Sequence, residues 1–311
     1  DVEATALSLT RLGIADFIYE GDKVIVTPAK RERQQLYAGE SATTLRLMIP
    51  LSLIYGGADF ICEGRLPDRP LTPYIETLQA SFEWTDSVLR VRGTLSPKEY
   101  LMDGTISSQF ISGMLIALPL LKSHSELLIK GQSASSPYVD LTVDMMMRFG
   151  VRAIPGIHGF LLMGDQRYQK MDIVIEGDWS HAAFYICSNF MGSSVDFTGL
   201  DPQSKQGDRV IFKVLQQSEI DLTDIPDIFP ILAVAASAKC GRTRFTNVSR
   251  LRFKESDRPK AMESELKKLG ADVFCGTDEF IVNGTGSLRG GTVMSHGDHR
   301  IAMALAMASA I

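Results

Sequence analysis

One structural phrase recurs along this chain and limits what it can fold into. An amphipathic helix stops at Leu-Gly or Phe-Gly, a short strand follows, then a tight turn and a second strand. The first copy runs through Leu9, Leu12 and Gly13, then residues 15–19, the turn Glu20-Gly21-Asp22, and residues 23–26. Another runs through 145–148, Phe149-Gly150, 151–154, a Gly156/Gly159 turn and 160–163. A third runs through 263–268, Leu269-Gly270, 271–275, the turn Gly276-Thr277-Asp278 and 280–282. A weaker copy, 75–78 leading to 81–84 and 88–91, lacks the glycine. Glycine just past a helix fits a left-handed cap, where any side chain is strained. Each phrase leaves one apolar helix stripe and one sheet face uncovered, so neighbouring copies must bury them together. The pattern predicts α/β domains built from repeated units, not a dinucleotide-binding fold.

The chain has 311 residues, 45% of them hydrophobic and 22% charged, which excludes a disordered or collagen-like chain and allows two domains. Its net charge of −5 argues against a surface made to coat nucleic acid. An anionic ligand must therefore be held by local arginine and lysine clusters. No apolar run approaches the ~20 residues of a membrane span; residues 114–121 and 229–238 read as pieces of core helix. Cys62, Cys187, Cys240 and Cys275 are widely spaced and read as reduced thiols of a cytoplasmic protein. The opening residues do not read as a signal peptide. Both ends read as cut, since Asp1 opens directly onto a helix and 301–311 stops without a cap. The best domain boundary follows an expected strand at 172–175, which gives domains at 1–174 and 175–311.

Between the repeats lie helix starts rich in polar groups. Gly104-Thr105-Ile106-Ser107-Ser108-Gln109-Phe110 precedes an apolar helix expected over 111–121. Two hydroxyls beside unpaired backbone N–H groups suit a phosphate, although a plain serine cap explains them as well. Gly39-Glu40-Ser41-Ala42-Thr43-Thr44-Leu45-Arg46 is a second such start. Its Arg46, among apolar neighbours, either snorkels or clamps an anion. Arg65-Leu66-Pro67-Asp68-Arg69-Pro70 is a rigid loop with two guanidinium groups.

The densest cluster is Arg250-Leu251-Arg252-Phe253-Lys254-Glu255-Ser256-Asp257-Arg258. If 254–258 is helical, Lys254 and Arg258 share a face with Glu255 beside them. A carboxylate flanked by cations suits proton transfer at an anionic substrate; the plainer reading is a solvated lattice of ion pairs. Asp224-Ile225-Pro226-Asp227 starts another helix. His296-Gly297-Asp298-His299-Arg300 opens the last one, with Asp298 as its cap, and offers too few ligands at metal spacing to hold a metal. Gly284-Thr285-Gly286 resembles a dinucleotide loop, but no helix follows it, and neither a phosphate-loop motif nor a nucleophile elbow is present.

At 38–46, 65–70, 104–110, 135–140, 176–178, 224–227, 254–258 and 298–300 the chain resembles, in order, the motifs of the 5-enolpyruvylshikimate-3-phosphate synthase family. The resemblance runs essentially from Asp1 to Ile311. It implies a two-domain enolpyruvyl-transferase fold of βαβαββ units with a substrate cleft between the domains. It also implies transfer of the enolpyruvyl group of phosphoenolpyruvate to the 5-hydroxyl of shikimate 3-phosphate, with release of phosphate and without metal or organic cofactor. The protein would be a cytoplasmic monomer that binds neither nucleic acid nor membrane.

Residue by residue, the same resemblance implies that Ser107, Ser108 and Ser135 hold the 3-phosphate. Gln109 would lie along the ring with Tyr138 nearby, and Lys254 would contact the same substrate. Arg46, Arg69, Arg258 and Arg300 would grip phosphoenolpyruvate. Asp227 would act as base towards the 5-hydroxyl, and Glu255 would exchange the proton at the methylene carbon. Domain closure would exclude water and sharpen these charges.

Several departures qualify the match. The family's opening Lys-Ser-x-x-x-Arg segment and its closing segment with a further lysine are not in the chain, so the chain is expected to turn over poorly and its full-length parent well. Arg250 stands where many members carry asparagine, and no role carries over to it. Ala42 stands where many members carry glycine, and members with alanine there tend to be insensitive to glyphosate. The same-fold enzyme acting on UDP-N-acetylglucosamine is the nearest alternative. Its reactive cysteine is not matched in the loop before Arg69, where Cys62 lies on the preceding strand. A non-catalytic phospho-ligand module is the other alternative, and it gives no reason for Asp227, Glu255 and Arg258 together.

Overall fold

A computed structural model of the protein describes residues 1–29, 35–131 and 133–310. Backbone packing separates two compact units. One comprises Asp1–Ala134 and Val139–Met171; the other comprises Ser135–Tyr138 and the chain from Asp172 onward.

The first unit opens with α1 (Val2–Arg11) and the hairpin β1 (Ala15–Glu20) and β2 (Lys23–Pro28). Two complete βαβαββ repeats follow. The first is β3 (Leu36–Gly39), α2 (Ala42–Leu53), β4 (Gly57–Cys62), α3 (Thr72–Thr77), β5 (Ala80–Thr85) and β6 (Val88–Gly93). The second is β7 (Glu99–Asp103), α4 (Ser108–Ala117), β8 (Ser125–Lys130), α5 (Ser136–Arg148), β9 (Ala153–Pro155) and β10 (Gly159–Leu162).

The second unit contains α6 (Trp179–Phe190) and α7 (Ile211–Val214), then a further complete repeat. That repeat is β11 (Glu219–Asp221), α8 (Phe229–Ala238), β12 (Gly241–Thr246), α9 (Arg258–Lys268), β13 (Asp272–Cys275) and β14 (Glu279–Gly284). The last helix is α10 (His299–Met307).

All three repeats make the same four-stranded sheet, with orders β3-β4-β6-β5, β7-β8-β10-β9 and β11-β12-β14-β13. The first two strands of each are parallel, and the other pairings are antiparallel. A parallel pair requires a crossover, which the helices supply while covering the sheet. The glycines of the repeated phrase do what the pattern requires: Gly13, Gly150 and Gly270 have φ of 77, 78 and 82° just past their helices. The apolar runs read as core lie in α4 and α8, where Ile111, Met114 and Leu115, and Ile231, Ala233 and Val234, are fully buried.

Four local expectations change. Residues 172–175 form no strand, because no neighbouring strand pairs with them. Helix α4 begins at Ser108, three residues before the expected start, and Pro119 falls in a tighter 3-10 turn at Leu118–Leu120. Residues 254–257 are not helical, since α9 begins at Arg258 with Asp257 as its cap. The last helix closes on a 3-10 turn at Ala308–Ala310, and Ile311 lies outside the described residues.

Helices α2 and α4 of the first unit approach closely at Gly113. A Cβ there would meet the Tyr74 hydroxyl and the Arg46 carbonyl. The buried Tyr74 hydroxyl lies 2.7 Å from the Arg46 carbonyl and 3.1 Å from that of Phe110, which fixes one helix against the other. Their N-terminal ends are thereby set side by side.

Candidate active site

In the first unit, the two polar helix starts meet. Ser41 caps α2, its hydroxyl accepting from the Thr44 N–H at 3.0 Å, and Ala42 is the first helical residue. Ser107 caps α4, its hydroxyl accepting from the Gln109 N–H at 3.4 Å, with Ser108 next. A capping hydroxyl that accepts in this way keeps its own hydrogen to donate.

Arg46 is buried, so the snorkelling reading does not hold. Its guanidinium donates to Gln109 Oε1 at 2.8 Å and to the Pro70 carbonyl at 3.2 Å, and lies 4.5 Å from the Phe110 ring centroid. Gln109 in turn donates to Thr43 Oγ1 at 2.8 Å. The buried Arg69 precedes Pro70, so the Arg65–Pro70 loop, the α2 start and the α4 start share one hydrogen-bonded cluster. It presents guanidinium, amide and hydroxyl donors on rigid elements, the equipment for an oxyanion.

In the second unit, the Lys254–Arg258 segment is a loop and the first residue of a helix, yet its charges converge. Asp227, in the 3-10 turn Pro226–Ile228 before α8, is the focus. Its Oδ1 accepts from Arg258 Nη1 at 2.8 Å and from Lys254 Nζ at 3.1 Å, and its Oδ2 lies 3.8 Å from Arg300 Nη2. Arg300 also donates to the Asp227 carbonyl at 3.3 Å. Burial alone would raise the Asp227 carboxyl, but Lys254, Arg300 and Arg258 outweigh it and hold the group well below the ordinary range.

Arg258 is only 1% exposed, which rules out a solvated ion lattice. Besides Asp227, it donates to Glu255 Oε2 at 2.6 Å and, through Nε, to Asp298 Oδ2 at 2.8 Å. Burial would lower its pKa, but the three carboxylates raise it. Asp298 is doubly used: Oδ2 also accepts from Ser256 at 3.0 Å, while Oδ1 caps α10 at the Arg300 N–H at 2.9 Å. Its neighbour His296 lies 2.8 Å from buried Glu265, which is lowered to about 2 by Lys268, His296 and the Met294 N–H against its burial. His296 and Asp298 of the His-Gly-Asp-His run therefore make internal bonds. Among the described residues, no group of three or more His, Cys, Asp or Glu side chains is placed to hold a metal.

Ser135 and Tyr138 belong to the second unit. Ser135 adopts a left-handed backbone (φ 57°), its N–H donating to the Thr223 carbonyl at 3.1 Å. The following N–H, of Ser136, donates to Asp224 Oδ1 at 3.0 Å. Arg250 donates to the Thr223 and Leu222 carbonyls and, at 3.2 Å, to Ser135 Oγ. The Tyr138 hydroxyl donates to Asp208 Oδ2 at 2.8 Å.

Over residues 1–219 and 210–311 the chain matches the family described as EPSP synthase (3-phosphoshikimate 1-carboxyvinyltransferase). The 3-phosphoshikimate 1-carboxyvinyltransferase of Clostridium perfringens strain 13 is 39% identical, with 99% of this chain and 80% of that protein covered. That of Clostridioides difficile strain 630 is 38% identical over 87% of this chain and 68% of its own. The chain belongs to the EPSP synthase family.

A solved EPSP synthase of Acinetobacter baumannii shares the fold, with a TM-score of 0.75 at 22% identity and 99% of this chain and 80% of that one covered. EPSP synthases are transferases of the shikimate pathway, and these matches favour that reading over the UDP-N-acetylglucosamine enzyme. Among the described residues, no helix is long and apolar enough to cross a membrane.

Within this family frame, Arg46 and Gln109 are hydrogen-bonded in one unit, Arg46 also bonds Pro70, the residue after Arg69, and Ser107 and Ser108 lie at the same helix start as Gln109. Asp227, Lys254, Glu255, Arg258 and Arg300 make one charge cluster in the other. Sequence reasoning missed Asp208, Ser180 and the ion-pairing role of Asp298. Asp208 sits in Gly-Asp-Arg, which reads locally as an exposed charged turn.

Arg258→Ala is expected to cost about 3–5 kcal/mol, because it strands buried Asp298 and leaves Asp227 and Glu255 without their shared cation. Urea unfolding of the variant against the parent measures this; a loss under ~1 kcal/mol would show that the cluster carries no such strain.

Proposed function

We propose that the protein transfers the enolpyruvyl group of phosphoenolpyruvate to the 5-hydroxyl of shikimate 3-phosphate, as a cytoplasmic monomer. The convergence of Lys254, Arg258 and Arg300 on Asp227, with Glu255 on the same guanidinium, carries this reading. A phosphate-binding module needs cations only, whereas this cluster adds two carboxylates suited to moving protons.

In this reading Ser107, Ser108 and Ser135 hold the 3-phosphate, with Gln109, Tyr138 and Lys254 about the ring. Arg46, Arg69, Arg258 and Arg300 take the carboxylate and phosphate of phosphoenolpyruvate, which suit bidentate guanidinium contacts. Asp227 accepts the 5-hydroxyl proton as the oxygen bonds to C2 of phosphoenolpyruvate, and Glu255, entering this step in its protonated form, gives that proton to C3. Glu255 then takes a proton back from the new methyl group as the C2–O bond to phosphate breaks. The proton on Asp227 leaves with the phosphate, so the residues return to their starting state.

The free protein holds Asp227 as a weak base, since three cations stabilise its charge. An arriving dianion competes for the same cations, and their withdrawal raises the basicity of Asp227 when a hydroxyl is there to be deprotonated. Asp227 is thus the internal counter-anion that substrate displaces.

The reading is tested by phosphate release from phosphoenolpyruvate in the intact protein. Release that depends on shikimate 3-phosphate is expected, and release without it, or none, overturns the reading. Asp227→Asn is expected to abolish turnover while tightening the binding of phosphoenolpyruvate alone by about tenfold, ~1.4 kcal/mol; unchanged or weaker binding would refute the counter-anion role.

Ala42, buried at the first turn of α2, supports a narrower reading in which its methyl crowds an inhibitor longer than phosphoenolpyruvate. Ala42→Gly is expected to lower the glyphosate concentration for half-inhibition by at least about tenfold, with KM for phosphoenolpyruvate changed less. Equal inhibition of both forms would remove the idea.

A further inference from the structure

Asp208 is a buried carboxylate that the proposed chemistry does not use. It lies on the 3-10 turn Gly207–Val210, fully shielded from solvent. Its Oδ2 accepts two hydroxyls, from Tyr138 on α5 at 2.8 Å and from Ser180 on α6. Its buried Oδ1 has no hydrogen-bond partner. The turn is tightly seated, since a Cβ on Gly207 would meet the Asp224 carbonyl and the Pro137 ring.

The two hydroxyls favour a charge here, but burial and the nearby Asp227 outweigh them. A buried carboxylate is normally compensated by a directly bonded cation or by several N–H donors. Asp298 and Glu265, equally buried, have both kinds of help. Asp208 has two hydroxyls and, further off, the opposing influences of Asp227 and Arg300. Burial first, and then the charge of Asp227, push its carboxyl up to about 6. A charge on Asp208 at neutral pH is therefore carried at a cost to the fold. An asparagine would fill the same space without burying a charge. The residue it holds most directly, Tyr138, lies one helical turn from Ser135, whose carbonyl accepts the Tyr138 N–H at 3.0 Å.

We propose that Asp208 is a positioning residue for shikimate 3-phosphate, its ionised carboxylate fixing the Tyr138 hydroxyl and, through that ring, the Ser135–Tyr138 turn. The proposal rests on the substrate assignment made above for Ser135 and Tyr138. A neutral side chain at 208 bonds the hydroxyl more weakly, because hydrogen bonds to charged acceptors are the stronger class. The turn then samples orientations that present Ser135 poorly.

The sign of the stability effect separates this role from a structural one. In the folded protein Asp208 holds its proton more tightly than in the unfolded chain, so its contribution is most favourable in acid and is lost as pH rises towards about 6. Asp208→Asn removes that penalty. The variant is expected to melt higher than the parent at pH 7.5, by a margin that shrinks at pH 5. At pH 7.5 its KM for shikimate 3-phosphate rises about tenfold, with kcat at saturation within about threefold of the parent. Tyr138→Phe should weaken the same substrate, and Asp208→Asn should add little in the Tyr138→Phe background.

Unchanged affinity in Asp208→Asn, an undiminished effect in the Tyr138→Phe background, or a variant destabilised equally at both pH values would overturn the proposal. If Asp208→Asn does not fold, Tyr138→Phe alone decides, and unaltered KM refutes the link. Failure of the parent itself to bind shikimate 3-phosphate would instead remove the substrate assignment.

Discussion

The guanidinium of Arg258 is buried among three carboxylates, and much of the second unit is arranged to make that arrangement tolerable. Five N–H donors in a rigid fork reach Asp227, Glu255 and Asp298 at once, which no lysine could do. Each carboxylate arrives from a different element: the turn before α8, the loop before α9, and the start of α10. Asp298 then caps α10, which brings Arg300 onto Asp227. Removing one partner strands the others, so these elements are tied by electrostatics as well as by apolar packing.

Buried charge divides into two kinds here. Glu265 and Asp298 are saturated by cations and N–H donors within the protein. Asp227 is saturated by cations that an anionic ligand could claim, and Asp208 is only half satisfied, its Oδ2 accepting two hydroxyls and its Oδ1 none. The fold gains least from the second kind, which is where chemistry is expected to reside.

Legibility in the sequence followed the range of the interactions. The helix-glycine-hairpin phrase is local, so Gly13, Gly150 and Gly270 announced their caps and three complete βαβαββ repeats emerged. The Asp298 cap was equally readable, because it acts two residues away. The strand expected at 172–175 failed because a strand exists only if a partner pairs with it. The helical reading of 254–258 failed because Asp257 caps the helix one residue before Arg258, yet Lys254 and Arg258 still meet at Asp227. That convergence, between residues 27 and 31 positions apart, had no signature in local spacing.

The sequence by itself determined the repeat, its caps, the core helices α4 and α8, and, through ordered motifs, the family. Each depends on residues a few positions apart or on the order of motifs along the chain. The tertiary structure alone decided which charges are buried and which neighbours they keep. It decided between the two readings open for Arg46, burying it against Gln109, and it made a sealed carboxylate of Asp208, which the sequence had not singled out. Solvation and Coulomb energies depend on distances in space, and those are set only when the strands and helices have closed around each other.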